Sequence, residues 1–109
     1  MTNYLFIEAR DPFASRDTEF LEQTAAALIQ RGHPVTVFLV QNGVLAARNH
    51  GHDSYLSRLA AAGATLLADD FSLSERGIQT GELQPGIQPS GIETLVEALT
   101  EQNTRAIWH

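Results

Sequence analysis

Val35-Thr36-Val37-Phe38-Leu39-Val40, running into Gln41-Asn42-Gly43-Val44, decides the fold. All six residues of the first stretch are apolar or β-branched, with no polar alternation. A strand apolar on both sides belongs in a parallel sheet covered on both faces. Gln41-Asn42-Gly43 then turns the chain, and Val44 to Arg48 can form a short helix.

Before this stretch, Tyr4 to Ala9 reads as a buried strand and Asp11-Pro12 as a turn. Ser15 to Arg31 is the clearest helix. Its stripe is Phe20, Leu21, Ala25, Leu28 and Ile29, with Ser15 or Asp17 as its cap. Gly32 fits the left-handed position past its end, and Pro34 blocks continuation. After the stretch, Asn49 to His52 is a polar loop. Asp53 is placed to cap a helix ending near Ala62, with Leu56, Leu59 and Ala60 inward and Gly63 closing it. Ala64 to Ala68 is a third strand. Ser72-Leu73-Ser74-Glu75 has capping-box form, for a short helix that stops at Gly77. Ile78 to Pro89 is mostly loop, with room for a brief strand. Ser90-Gly91-Ile92-Glu93 is a second capping box, ahead of the stripe Ile92, Leu95, Val96 and Leu99. Arg105 to Trp108 is the last strand. Alternating strands and helices predict one domain over residues 1–109: an α/β fold, a three-layer α/β/α sandwich on a mostly parallel sheet of four or five strands.

The totals fit that architecture and exclude several functions. A chain of 109 residues buries about 65% of its unfolded surface, enough for one core without staples. The net charge of −6 and the absence of any Lys/Arg run leave no basic footprint for nucleic acid, and the acidity would repel an anionic membrane. There is no cysteine, so disulfides, thiolate metal sites, cysteine nucleophiles and persulfide carriage are excluded. Glu8 interrupts the first apolar stretch, no basic segment precedes it, and no apolar run approaches the ~20 residues of a membrane span. A cytoplasmic location is expected.

Ligands of open parallel sheets bind beyond the carboxyl ends of the strands. The loops expected there are Arg10 to Ser15, Gln41 to Gly43, Asp69 to Ser72 and Trp108-His109. Asn42 and Gly43 precede a helix start, where free N–H groups can hold an anion, but a tight βα turn also accounts for them. No phosphate-loop or dinucleotide motif is present. Asp69 and Asp70 could bind a metal or act as acid and base, or could simply cap the next helix. His50-Gly51-His52-Asp53 could contribute to a metal site, but it lacks helical ligand spacing and reads as well as a polar loop. Arg76 suits a helix C-terminus beside Gly77. His33 reads as a turn residue, and terminal His109 is expected to fray. No serine has a nucleophile-elbow context. No catalytic residue, cofactor or metal site is assigned. Asn42, Gly43, Asp69, Asp70 and Arg76 stand as the ligand-binding candidates.

Five segments together carry a family resemblance. Strand one leads into a long helix. Val35 to Val44 looks like a strand followed by a D-G-V-like turn. Gly63-Ala64-Thr65-Leu66-Leu67 resembles a G-A-x-hydrophobic strand. Asp69 to Ile78 resembles C-x-x-S-x-x-x-R-G-hydrophobic. Leu83 to Ile87 and Arg105 to Trp108 resemble L-x-x-G-V and a closing strand that ends in Trp. In this order they are similar to the DsrE/DsrF-like sulfur-relay family, which includes the DsrE/DsrF/DsrH and TusB/TusC/TusD groups and the YchN-like members. The resemblance implies a flavodoxin-like sandwich assembling as homotrimers, hexamers or heterohexamers. It also implies a persulfide carried on a cysteine just after the third strand, for transfer between proteins.

Counting back from Arg76-Gly77, that cysteine falls on Asp69, and Asn42 stands where the family often has Asp. A carboxylate cannot form a persulfide; the chemistry needs a thiolate. The resemblance therefore implies a non-catalytic member of an intracellular sulfur-transfer assembly, as a homo-oligomer or with DsrE-family partners. The alternative is a small-ligand, anion or metal binder, or a hydrolase, built around Asp69 with Asp70, Asn42 and Arg76 and with His50 or His52 reaching in.

Overall fold

A computed structural model of the chain describes residues 2–13, 18–49, 51 and 54–109. Five strands, β1 (Asn3–Glu8), β2 (Val35–Leu39), β3 (Thr65–Asp69), β4 (Ile87–Ser90) and β5 (Thr104–Trp108), form one sheet in the order β4-β3-β2-β1-β5. Every pairing is parallel. The helices are α1 (Thr18–Gln30), α2 (Tyr55–Ala62), α3 (Asp70–Glu75) and α4 (Ile92–Thr100), with a 3-10 helix over Gln41–Ala47 and another over Thr80–Glu82.

The predicted two-sided burial of the second strand is what the sheet shows. Val35, Val37 and Leu39 join Phe6, Leu66 and Ala68 on one face, beneath Leu21 and Ala25 of α1, Leu56 and Leu59 of α2 and Leu73 of α3. Phe38 and Val40 join Leu5 and Ile7 on the opposite face, beneath Leu95 and Ala98 of α4. Phe6 and Phe38 are both essentially inaccessible, and a fully buried side chain of this size is worth about 1.5–3 kcal/mol. The strand order follows from these faces. β1 to β4 step outward in one direction with α1, α2 and α3 on one side. The chain then crosses on the α4 side to place β5 beyond β1.

Several local expectations change. The Ile78–Pro89 segment does contain a strand, β4, so the sheet has five strands. Ser90 belongs to that strand and cannot cap α4. Gly91 takes the N-cap position without a side-chain bond. The α3 helix begins at Asp70 rather than Ser72, because Asp69 is its cap. The α2 helix is capped by Ser54, whose Oγ accepts from the Ser57 N–H while Ser57 Oγ bonds back to the Ser54 backbone. Asp53, Ser15 and Asp17, named above as caps, lie outside the described residues. Phe20 is 55% exposed although its neighbour Leu21 is fully buried, and its ring lies 5.8 Å from that of His109. In α4 only Leu95 of the predicted stripe is buried. Ile92, Val96 and Leu99 are about half exposed along one flank, because a single helix covers this face.

One glycine is dictated by packing. The Gly43 Cα lies against the end of β1, and a Cβ there would collide with the Glu8 carbonyl oxygen. Gly43→Ala should therefore cost about 2–3 kcal/mol, in the range of overpacked cores, measured as a lowered urea midpoint with an unchanged slope. An unaltered midpoint would show that β1 and the turn are not in this contact.

Candidate functional site

The carboxyl ends of β2 and β3 bring four of the five candidate residues to one edge. Asp69 ends β3 and is only 7% exposed. Its Oδ2 accepts from the Ser72 backbone N–H at 3.0 Å and from Ser72 Oγ at 2.6 Å. With its proton committed to Asp69, Ser72 Oγ accepts in turn from the Gln41 N–H at 2.9 Å. Gln41 has a left-handed φ of 52°. That conformation is uncommon outside glycine, and here the bond to Ser72 holds it.

Beside this relay, Arg76 donates from Nε and Nη2 to Asn42 Oδ1 at 3.3 and 3.1 Å, and from Nη1 to the Ser72 carbonyl at 3.2 Å. Arg76 is the C-cap residue of α3, so the side chain folds back along its own helix to reach the turn after β2. Asn42, Asp69 and Arg76 thus share one network, and Gly43 adjoins it as the residue that lets the turn approach β1. Asp70 departs from the group. It is exposed and borders a cleft of about 410 Å³ walled by Leu73, Ile78 and Pro89.

The arrangement around Asp69 is chiefly structural. The two hydrogen bonds, both to Oδ2, satisfy a donor of the first helical turn and fix the Ser72 hydroxyl. Among the described residues no cluster of three or more His, Asp or Glu could hold a metal ion. His50, His52 and Asp53 lie outside the described residues.

Sequence reasoning missed a second polar group, at the ends of β1 and β5. Glu8 is fully buried, and both of its carboxylate oxygens lie near His109 Nδ1, at 2.8 and 3.0 Å. His109 is not frayed. Its N–H donates to the Ile7 carbonyl at 2.8 Å, and its carbonyl accepts from the Ala9 N–H at 3.1 Å. These bonds extend the β1–β5 ladder past Trp108. Burial pushes the Glu8 carboxyl above the usual carboxylate range, against the opposing pull of His109, Arg10 and the Ala9 N–H. Tyr55, from α2, has a buried hydroxyl with no hydrogen-bond partner among the described residues. Its phenol is pushed well up by burial and by the charges of Glu8, Glu22 and Asp11. The legible clue was Glu8 itself, the one carboxylate inside an otherwise apolar strand. Nothing in the sequence said which residue would face it.

A model of the DsrE/DsrF-like family matches residues 2–107. The chain belongs to that family. Solved structures share its fold. The ychN protein from E. coli superposes with a TM-score of 0.83 at 18% identity, covering 98% of this chain and 100% of that one. The protein of unknown function MTH1491 from Methanobacterium thermoautotrophicum gives 0.81 at 19% identity, with both chains covered in full. BT1422 from Bacteroides thetaiotaomicron, a conserved protein of unknown function, gives 0.74 at 20% identity, covering 96% of this chain and 94% of that one. No curated protein matches in sequence. In this DsrE-like chain the motif segment Asp69 to Ile78 is β3's last residue, α3 and the turn behind it.

Two outcomes follow for these groups. Asp69→Ala removes the cap and strands the Ser72 hydroxyl, so it should lower stability by about 1–3 kcal/mol, read by urea denaturation. Asp69→Asn, which keeps an acceptor oxygen, should recover much of the loss. For Glu8 the folded carboxyl binds its proton more tightly than the unfolded one. Its contribution is therefore fully present below the ordinary glutamate value of ~4.3 and is lost as pH rises through the raised folded value. Stability relative to Glu8→Gln should fall over that window. A flat difference would mean that Glu8 is not buried as described.

Proposed function

We propose that this chain is a non-catalytic DsrE-like subunit of an intracellular sulfur-transfer assembly, acting in the cytoplasm by oligomerising or by binding a partner, without carrying the persulfide itself. The observation that carries this reading is Asp69. At the position where the resemblance puts the sulfur-carrying cysteine stands a carboxylate that is buried and bonded twice to Ser72. An oxygen acid offers no sulfur nucleophile, and this one is occupied as a helix cap. Against the alternative of a metal site centred on Asp69, no cluster of three or more His, Asp or Glu that could hold a metal is found among the described residues.

The assembly part of the reading rests on the α4 face. Ile92, Val96 and Leu99 line one flank of the helix, and their exposures are 52%, 53% and 47%. The register of β5 places Ala106 beside Leu5 and Trp108 beside Ile7, on the same face of the sheet, and Trp108 is 66% exposed. Large apolar side chains grouped on one face are the ordinary mark of an interface. A homotrimer, a hexamer or a mixed assembly with cysteine-bearing relatives would bury them.

Size-exclusion chromatography with light scattering should show an oligomer that Val96→Asp dissociates without loss of circular dichroism. Affinity capture from the native cell should bring down a cysteine-containing DsrE-family protein, and incubation with a persulfide donor should leave the chain's own mass unchanged. A strictly monomeric protein with no such companion would overturn the proposal.

A further inference from the structure

The sheet has two edge strands, β4 and β5, and only β4 is blunted. β4 is 4 residues long. Its Ile87 N–H is spent on the Gln84 carbonyl at 3.2 Å, and Pro89 has no N–H to offer. Short length and proline are ordinary protections of an edge. β5 has neither a proline nor a glycine. It reads Thr104-Arg105-Ala106-Ile107-Trp108, with Arg105 as its only charge.

The register fixes which backbone groups of β5 face away from the sheet. The Asn103 carbonyl accepts from the Asn3 N–H. His109 donates to the Ile7 carbonyl, and its own carbonyl accepts from the Ala9 N–H. Main-chain groups alternate in direction along a paired strand. Asn103, Arg105, Ile107 and His109 therefore turn theirs to β1. Thr104, Ala106 and Trp108 turn theirs outward. The Thr104 N–H is taken by the Glu101 carbonyl at 3.3 Å. The N–H groups of Ala106 and Trp108 remain, with the carbonyls of Thr104, Ala106 and Trp108. Ala106 and Trp108 are both exposed. Such a row is a template for one more strand.

We propose that β5 pairs antiparallel with β5 of a second copy of this chain, about a two-fold axis at Ala106, joining two sheets into one. The row is complementary to itself. About that axis Ala106 exchanges N–H and carbonyl bonds with Ala106 of the partner subunit. The Trp108 N–H meets the carbonyl of Thr104 of the partner subunit, and the reverse. Moving the axis by one residue is worse. At Arg105 two guanidinium groups come directly opposite, and like charges there are destabilising. At Ile107 the Thr104 carbonyl drops out of the ladder. With the axis at Ala106, Arg105 faces an isoleucine, along which its apolar stem can lie. On the α4 side the smallest side chain of the strand sits on the axis. The cross-strand diagonal brings Trp108, 66% exposed, over it. The joined sheet then ends in β4 on both sides, and β4 is blunted, so assembly through edges closes at two copies. A foreign strand would need none of this symmetry. The inference deepens the assembly reading and rests on it for self-association.

Hydrogen exchange on the purified chain reads the contact directly. In a single copy the Ala106 and Trp108 amides have no acceptor, and in the pair they do. Both should exchange about tenfold or more slower than in an unstructured peptide. The chain has no cysteine, so one introduced thiol can join only its own counterpart. Ala106→Cys should give a cross-linked dimer under mild oxidation, since directly opposed Cα atoms about 5.5 Å apart suit a disulfide. Gln88→Cys, exposed on β4, should not. Ala106→Pro removes an outward N–H and none of the β1–β5 bonds, so light scattering should show a smaller species with circular dichroism intact. Two rapidly exchanging amides overturn the proposal, as does cross-linking through Arg105→Cys or Gln88→Cys in preference to Ala106→Cys. Protection that appears only on adding cell extract assigns the edge to another protein's strand and overturns it too. An oligomer that Val96→Asp dissociates and Ala106→Pro leaves alone overturns the edge pairing while the assembly reading stands. A dimer cross-linked through Ala106→Cys, with no DsrE-family companion captured, keeps the edge pairing and removes the sulfur-transfer reading.

Discussion

Asp69 is bonded to the N–H and the hydroxyl of Ser72, and Ser72 is bonded to the N–H of Gln41. Through these three bonds the ends of β2 and β3 are tied to each other and to the first turn of α3. Each link depends on the previous one. The carboxylate takes the hydroxyl proton, which directs the oxygen's lone pair at the turn, and the turn can then hold Gln41 at a positive φ. Arg76 closes the same edge from the far end of α3 by reaching Asn42. In an all-parallel sheet the strands have no hairpins to hold their ends together, so side-chain networks of this kind fix the geometry of the edge where ligands bind.

That dependence explains what was legible in the sequence. Val35 to Val40 declared a doubly covered strand, because burial on both faces leaves no polar alternation. Gly32 and Gly63 marked helix ends, and both adopt the left-handed conformation expected there. The joining of Asn42 to Arg76 is a contact across 34 residues; the strand-end reading named both as candidates, but no local pattern links one to the other. The capping boxes failed for a local reason. Ser90 was claimed by β4, and Ser72 was displaced from the cap by Asp69, which bonds its N–H from three residues earlier. The helical stripes of α1 and α4 have the right period. Periodicity cannot say how much of a stripe meets a partner, however, and both helices leave part of theirs exposed: Phe20 on α1, and Ile92, Val96 and Leu99 on α4.

The two faces of the sheet divide the work. On the α1–α3 side the cover is complete, and the core runs without interruption from Phe6 to Ile87. On the α4 side one helix serves five strands, and the buried cluster shrinks to Leu5, Ile7, Phe38, Val40 and Leu95. The exposed apolar residues of α4 and β5 border that smaller cluster. A face so thinly covered gains stability from a second layer supplied by another molecule, which is how an interface comes to resemble a core cut in half.

Glu8 sits on the fully covered side, opposite the thin one, at the end of a strand that is otherwise apolar and buried. Nothing in the fold requires a carboxylate there. The turn at Gly43 packs on the backbone of Glu8 and Ala9, and the neighbouring strand ends are held by main-chain bonds. A side chain that costs solvation and is not needed for packing is informative about function, because neutral replacements of similar size would meet the packing demand. At Asp69 the reverse holds. The carboxylate there caps α3 and holds Ser72, at the position where the resemblance places the sulfur-carrying cysteine. The two acids thus exchange the roles their positions suggest. The one expected to be functional is a cap, and the one expected to be a mere strand residue holds a histidine at the point where the sheet reverses.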